Sequence, residues 1–239
     1  MPRPREFDPD LVLDHAVELF WAKGYEGTSI SDLEEHLGMG RQSLYGAFGD
    51  KHELYLKAMD RYAASQSWTR RDLLKPDAGA EEIRQYFKGL IGAVTQEPRR
   101  SCMLINAAIE GDCEHPKVAG RCTDNQQNLT RAFRHALEGA VAKGQLDRKT
   151  DTNALALALV SQSFGLNVMA RNGASPATLA NSARSNPSFL RWNGGLGTGG
   201  VVTRGMENEV IGFPMAPKSR GRTVGPRDAG AARSATGRA

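Results

Sequence analysis

Residues 38–51 read GMGRQSLYGAFGDK, and the fold turns on how this stretch is used. The run between its glycine turns is far below the ~12–15 residues at which a helix becomes stable alone in water. Its apolar residues Met39, Leu44 and Phe48 are spaced to pack against something else. That packing leaves Arg41, Gln42, Ser43 and Tyr45 facing outward, available to a partner.

Working outward, the chain before this stretch predicts two helices. Asp8-Pro9 pairs a capping Asp with Pro at the first helical position, where its missing N–H costs nothing. Val12, Ala16, Leu19 and Phe20 follow at helical spacing, and Gly24 supplies the stop. In TSISDLEEHLG, Ser29 and Asp32 stand at capping-box spacing, with Ile30, Leu33 and Leu37 as the apolar face and Gly38 as the end. A third, short helix is predicted from about Arg41 to Phe48. Asp50 then caps a fourth, with Glu53 as its reciprocal partner, running to about Leu74.

Helical periodicity continues over roughly 80–96, 100–110, 116–142 and 151–172, and Ser175-Pro176 opens another helix. The breaks fall at Pro76 to Gly79, Pro98, His115-Pro116 and Gly144. No period-2 alternation stands out, so the fold class is all-α. From Arg184 the chain turns to Gly, Arg, Pro, Ser and Thr without apolar period, which predicts a disordered tail. The expected division is 1–60, 61–183 and an irregular basic tail over 184–239.

The net charge of +4 over 239 residues is unevenly placed. Residues 1–66 hold 7 Lys/Arg against 12 Asp/Glu, a net of −5, whereas residues 184–239 hold 9 against 3, a net of +6. Basicity therefore says nothing in favour of nucleic-acid binding by the N-terminal region; that case rests on geometry. No run approaches the ~18 apolar residues of a membrane span, and the start, MPRPREFDPD, has no apolar signal region, so a cytoplasmic protein is expected. Three cysteines make no disulfide framework.

Two short helices joined by a glycine turn and braced by an amphipathic helix describe a helix-turn-helix, whose second helix enters the major groove. By spacing alone the same residues also fit an αα-hairpin with a solvated polar face. The stretch AVELFWAKGYEGTSISDLEEHLGMGRQSLYGAFGDKHELYLKAMD, at residues 16–60, resembles the DNA-binding domain of TetR-family (TetR/AcrR) transcriptional regulators. The resemblance runs from about Asp8 to Asp60, through F-x-x-x-G-Y-x-x-T-S, I-x-D-L and G-x-G-R-x-S-L-Y-x-x-F-x-x-K-x-x-L. It implies a three-helix helix-turn-helix domain followed by a helical ligand-binding and dimerisation domain. The implied function is that of a homodimeric repressor on a palindromic operator, released by a small-molecule inducer or by thiol modification. An all-helical small-molecule-binding protein without DNA binding is the alternative.

The resemblance implies base or phosphate contacts from Arg41, Gln42 and Ser43, and phosphate contacts from Tyr45, Lys51, Thr28 and Ser29. The chain departs from the family at Gly46 and Ala47, where many members carry larger groups, so fewer bases are expected to be read. Gly40 replaces a common Ser cap, and Glu34 and Leu37 replace small residues. Trp68, Tyr86, Phe87, Met103, Asn106, Phe133 and Phe164 could line the ligand pocket or simply fill the core. RRSCMLINAAIEGD resembles a segment whose cysteine senses electrophiles or oxidants in one branch of the family. Cys102 matches that cysteine, and Arg99 and Arg100 beside it would favour a thiolate; a buried, inert thiol is the other reading.

Cys102, Cys113, His115 and Cys122 fit no standard zinc spacing, so neither a metal nor a cofactor is expected. GLGTGG at 195–200 satisfies G-x-G-x-x-G but lacks the flanking strand and helix of a dinucleotide site. No catalytic constellation occurs, which points away from an enzyme.

Overall fold

Capping residues marked in the sequence sit where the helices begin and end. The computed structural model describes residues 7–96 and 101–184; the basic tail from 185 onward, and Arg99 and Arg100, lie outside the described residues. Helix α1 (Pro9–Lys23) starts on Asp8, whose carboxylate accepts from the Asp10 N–H. Helix α2 (Ile30–Leu37) has both arms of the Ser29/Asp32 capping box in place. Helix α3 (Arg41–Phe48) follows Gly38, whose φ of 62° is the left-handed turn that glycine tolerates and other residues resist. Helix α4 (Lys51–Ser65) is capped by Asp50, whose carboxylate accepts from the Glu53 N–H.

Helix α4 stops earlier than its apolar pattern predicts. The Ser65 hydroxyl donates to the Tyr62 carbonyl and the Thr69 hydroxyl to the Gln66 carbonyl, both at 2.7 Å. Such back-bonding competes for helix carbonyls, and the chain restarts as a short α5 (Trp68–Arg71) and a 3-10 turn (Asp72–Leu74). The reciprocal half of the predicted Asp50/Glu53 box is also absent. The Glu53 carboxylate turns instead to Lys117 at 2.8 Å.

The body consists of α6 (Ala80–Val94), α7 (Met103–Ile109), a 3-10 turn (Asp112–Glu114), α8 (Pro116–Ala142), α9 (Thr152–Arg171) and α10 (Pro176–Arg184). Among the described residues there is no strand. By length and composition α9 could cross a bilayer, with mean hydropathy 1.3 over its apolar window. Its apolar face is nevertheless occupied by packing, with Ala156, Leu159, Val160, Leu166 and Ala170 buried in the body.

Two hydrophobic clusters result. One joins α1–α4 through Ala16, Phe20, Leu33, Leu44, Phe48 and Met59. The other joins α6, α8, α9 and α10 through Phe87, Phe133, Leu159, Leu166 and Leu179. The first does not stop at α4: it takes in Met103, Leu104 and Ala107 of α7 and Val118 of α8. The head therefore sits directly on the α7–α8 corner.

Candidate nucleic-acid interface

Helix α3 has one buried side and one open side. Leu44 and Phe48 are 1% and 4% exposed, and with Leu33, Leu37 and Met39 they fix the angle of the helix against α2 and α4. Arg41, Gln42, Ser43, Tyr45 and Gly46 are all exposed on the other side. No hydrogen bond engages the side chains of Gln42, Ser43 or Tyr45 among the described residues, and Tyr45 is 40% exposed. A Cβ added at Gly46 would meet no atom within 4 Å, so the backbone there can approach a partner closely.

Both ends of α3 are held by side chains from its neighbours. Gly40 gives no side-chain cap, and Glu34 of α2 supplies one: its carboxylate accepts from the Arg41 N–H at 2.7 Å. The same carboxylate lies 3.6 Å from the Arg41 guanidinium, which aims that side chain. At the other end, Lys57 of α4 donates to the Phe48 carbonyl at 2.7 Å. A negative group at the N-terminus and a positive one at the C-terminus both match the helix dipole. The departure at Glu34 thus compensates the departure at Gly40, which a one-residue-at-a-time reading misses.

Two further helix starts flank α3. Ser29 is exposed at the start of α2, but its hydroxyl is shared with Asp32 through the capping box. The Lys23 ammonium, 2.6 Å from Asp32, and the Ser29 hydroxyl hold the Asp32 carboxyl far below its usual range. Lys51 opens α4 with its ammonium 4.2 Å from the centre of the Tyr25 ring, a cation–π contact that positions it beside free helix N–H groups. Thr28 is a correction. It is fully buried and its hydroxyl donates to the Gly24 carbonyl at 2.7 Å, so this side chain braces the α1–α2 turn and reaches no surface.

The residues expected to form a ligand pocket separate into two places. Tyr86, Phe87 and Phe133 pack ring against ring, at 4.9 to 5.8 Å between centroids, with Phe164 half-buried beside them. The Tyr86 hydroxyl bonds Ser163 at 2.9 Å, and burial pushes its pKa up to about 12. Met103 and Asn106 belong instead to α7, on the head side, where they line a tight crevice with Phe20, Trp21, Tyr55 and Glu110 that leaves no room for a water molecule. The side chain of Trp68 lies outside the described residues.

Cys102 caps α7, and its N–H donates to the Asn167 side chain at 2.9 Å. Burial raises its thiol pKa, outweighing hydrogen bonds from the Ile105 N–H and the Tyr62 hydroxyl that favour the thiolate. Among the described residues desolvation sets the character of this thiol. Among the described residues no group of His, Cys, Asp and Glu could hold a metal ion.

Comparisons with known proteins converge. Residues 12–58 match the family described as bacterial regulatory proteins, tetR family, and residues 79–185 match a tetracyclin repressor-like C-terminal domain. The HTH-type transcriptional regulator YezE of Bacillus subtilis (strain 168) is 37% identical over 72% of this chain and 90% of its own length. The HTH-type transcriptional repressor ComR of Escherichia coli (strain K12) is 29% identical over 72% of this chain and 84% of its own. A cysteine mutant of the TetR-family transcriptional regulator CifR, solved with a 26bp double-strand operator DNA, superposes with a TM-score of 0.70 at 30% identity. That match covers 80% of this chain and all of CifR.

Proposed function

This chain belongs to the tetR family of bacterial regulatory proteins and is a DNA-binding transcriptional regulator rather than an enzyme, and from that premise we propose that it acts as a homodimeric repressor on a palindromic operator in the cytoplasm. The observation that carries the DNA-reading assignment is the exposed face of α3, held at both ends by Glu34 and Lys57. Arg41, Gln42 and Ser43 reach base edges and adjacent phosphates. Tyr45, Lys51 and Ser29 hold the backbone, Lys51 and Ser29 from helix N-termini. The operator-bound CifR structure supports the same docking here, because its relation to this chain spans head and body alike.

Residues 1–60 form the reading head and 61–183 the ligand-binding and dimerisation body in this proposal. Two copies associate through the outer side of α9, where Ala154, Leu157, Ala158, Ser161 and Gly165 are exposed at helical spacing and Leu157 is 51% exposed. Small residues there permit close helix approach. A small-molecule inducer enters the body beside Tyr86, Phe87, Phe133 and Phe164, displacing the packed rings and shifting the head through α7.

A selection from random-sequence duplexes tests this reading. The chain should enrich a palindrome whose half-sites lie about one helical turn apart or somewhat more. Equal affinity for the enriched duplex and for random DNA at physiological salt would refute it.

A further inference from the structure

Cys113 and Cys122 lie where the body meets the head. Cys113 sits in the 3-10 turn after α7, and Cys122 sits two turns into α8. Gly111, at φ 88°, turns the chain out of α7, and Pro116 restarts it as α8, so this short loop folds back on the new helix. The two sulfurs stand 3.4 Å apart, Cys113 donating to Cys122, and Cys122 in turn donates to the Leu104 carbonyl at 3.4 Å. Both thiols are reduced, half-buried and packed on the head's hydrophobic cluster. A disulfide needs about 2.05 Å between sulfurs, so closure asks for roughly 1.4 Å of approach.

The surrounding contacts give that approach a consequence. Asp112, next to Cys113, accepts from the buried Tyr55 hydroxyl at 2.8 Å. The His115 and His52 rings lie 4.7 Å apart, Lys117 pairs with Glu53 at 2.8 Å, and Arg121 pairs with Asp60 at 2.6 Å. All four partners, Tyr55, His52, Glu53 and Asp60, belong to α4, whose first residue is Lys51. A bond between Cys113 and Cys122 pulls on the loop that holds the head in place.

We propose that Cys113 and Cys122 form a redox-active dithiol, oxidised to a disulfide by hydroperoxides, and that its closure lowers operator affinity; this last effect rests on the DNA-binding reading above. The Cys113 thiolate attacks the outer peroxide oxygen, the O–O bond breaks, and water or an alcohol leaves, so that Cys113 becomes a sulfenic acid. The Cys122 sulfur then attacks the Cys113 sulfur; the S–S bond forms, the S–O bond breaks, and hydroxide leaves as water with the Cys122 proton. Two thiols lose two electrons, and the peroxide accepts them. Burial, then the neighbouring Cys113, pushes the Cys122 thiol up to about 12, which suits it to donate to the Cys113 thiolate and to act second. Cys102, half-buried like the other two but hydrogen-bonded elsewhere, is not required.

The test uses the full chain and a duplex enriched from a random pool by reduced protein. Hydrogen peroxide should remove two hydrogens from a single chain, and trypsin should release the 101–117 and 122–131 peptides as one linked species. Because the first peptide holds both Cys102 and Cys113, the link is mapped in Cys102→Ser, where it should persist. Affinity for the duplex should fall about fivefold or more on oxidation, a typical allosteric coupling, and recover with dithiothreitol. Cys113→Ser, Cys122→Ser and the corresponding Ala variants should keep reduced-state affinity under peroxide. A link to Cys102, a link between chains, sulfinic acid without a bridge, or a bridge with unchanged affinity would each overturn the proposal. Failure of reduced protein to prefer the enriched duplex before any oxidant is added would instead overturn the DNA-binding reading.

Discussion

Helix α3 in the head and helix α9 in the body are held in opposite ways. Helix α3 has eight residues, buries Leu44 and Phe48, and depends on Glu34 and Lys57 to complete its ends. Helix α9 has 20 residues, a local cap at Asp151 and a long buried side, and is held mostly by apolar contact with α6, α8 and α10. The short helix carries the exposed polar side chains, while the long one leaves a strip of small and apolar residues uncovered. A helix placed by its ends and two anchors can present its whole outer face to DNA. A helix placed by burial has only its unburied side to offer, and that side suits another protein surface.

The largest effect expected from this contrast is at Leu157. Leu157→Arg should leave the fold intact, because the residue is 51% exposed, yet split the proposed dimer. Binding should then fall to the non-specific level, about 10³-fold or more below the specific one. Sedimentation and gel shift together check this; a dimer that survives would move the interface elsewhere. Next come the anchors. Phe48→Ala and Phe133→Ala remove buried rings from the two clusters, and each should cost about 3–5 kcal/mol in denaturant unfolding. Only the first should also abolish DNA binding when the remaining folded fraction is assayed.

Gln42→Ala should relax base preference by ~1–3 kcal/mol at the position it reads. Lys51→Ala should weaken all sequences alike and reduce the slope of log affinity against log salt by about one. Both are measured by binding titrations at several salt concentrations, and identical behaviour of the two variants would erase the distinction between reading and holding. Glu34→Ala should cost about 1 kcal/mol of head stability through the lost cap, with Arg41 freed at the same time.

The smallest effect concerns acid. Asp32 titrates lower in the folded head than in the unfolded chain, so its contribution is present above the ordinary carboxylate range and is lost as pH falls toward the depressed value. Asp32→Asn should flatten that part of the stability profile in acid melts. The effect is small because the carboxylate is solvent-screened.

Much of this molecule was legible before any coordinates. Asp8-Pro9, the Ser29/Asp32 box, Gly24, Gly38 and Asp50 act over one to four residues, and a helix end needs such groups at fixed spacing. The head's identity followed from the same local grammar, since the ordered series from Phe20 to Lys51 consists of caps, turns and anchors. The exposed set on α3 was legible too, because the buried positions Leu44 and Phe48 leave Arg41, Gln42, Ser43 and Tyr45 only one side. Only the tertiary structure decided where Glu53 points, which helix caps α3, that Thr28 faces inward, that burial governs Cys102, and that Cys113 meets Cys122. Those outcomes depend on the angle at which helices cross and on what water is excluded. Spacing along a chain sets neither quantity, because each arises from contacts between residues that meet only when the helices pack.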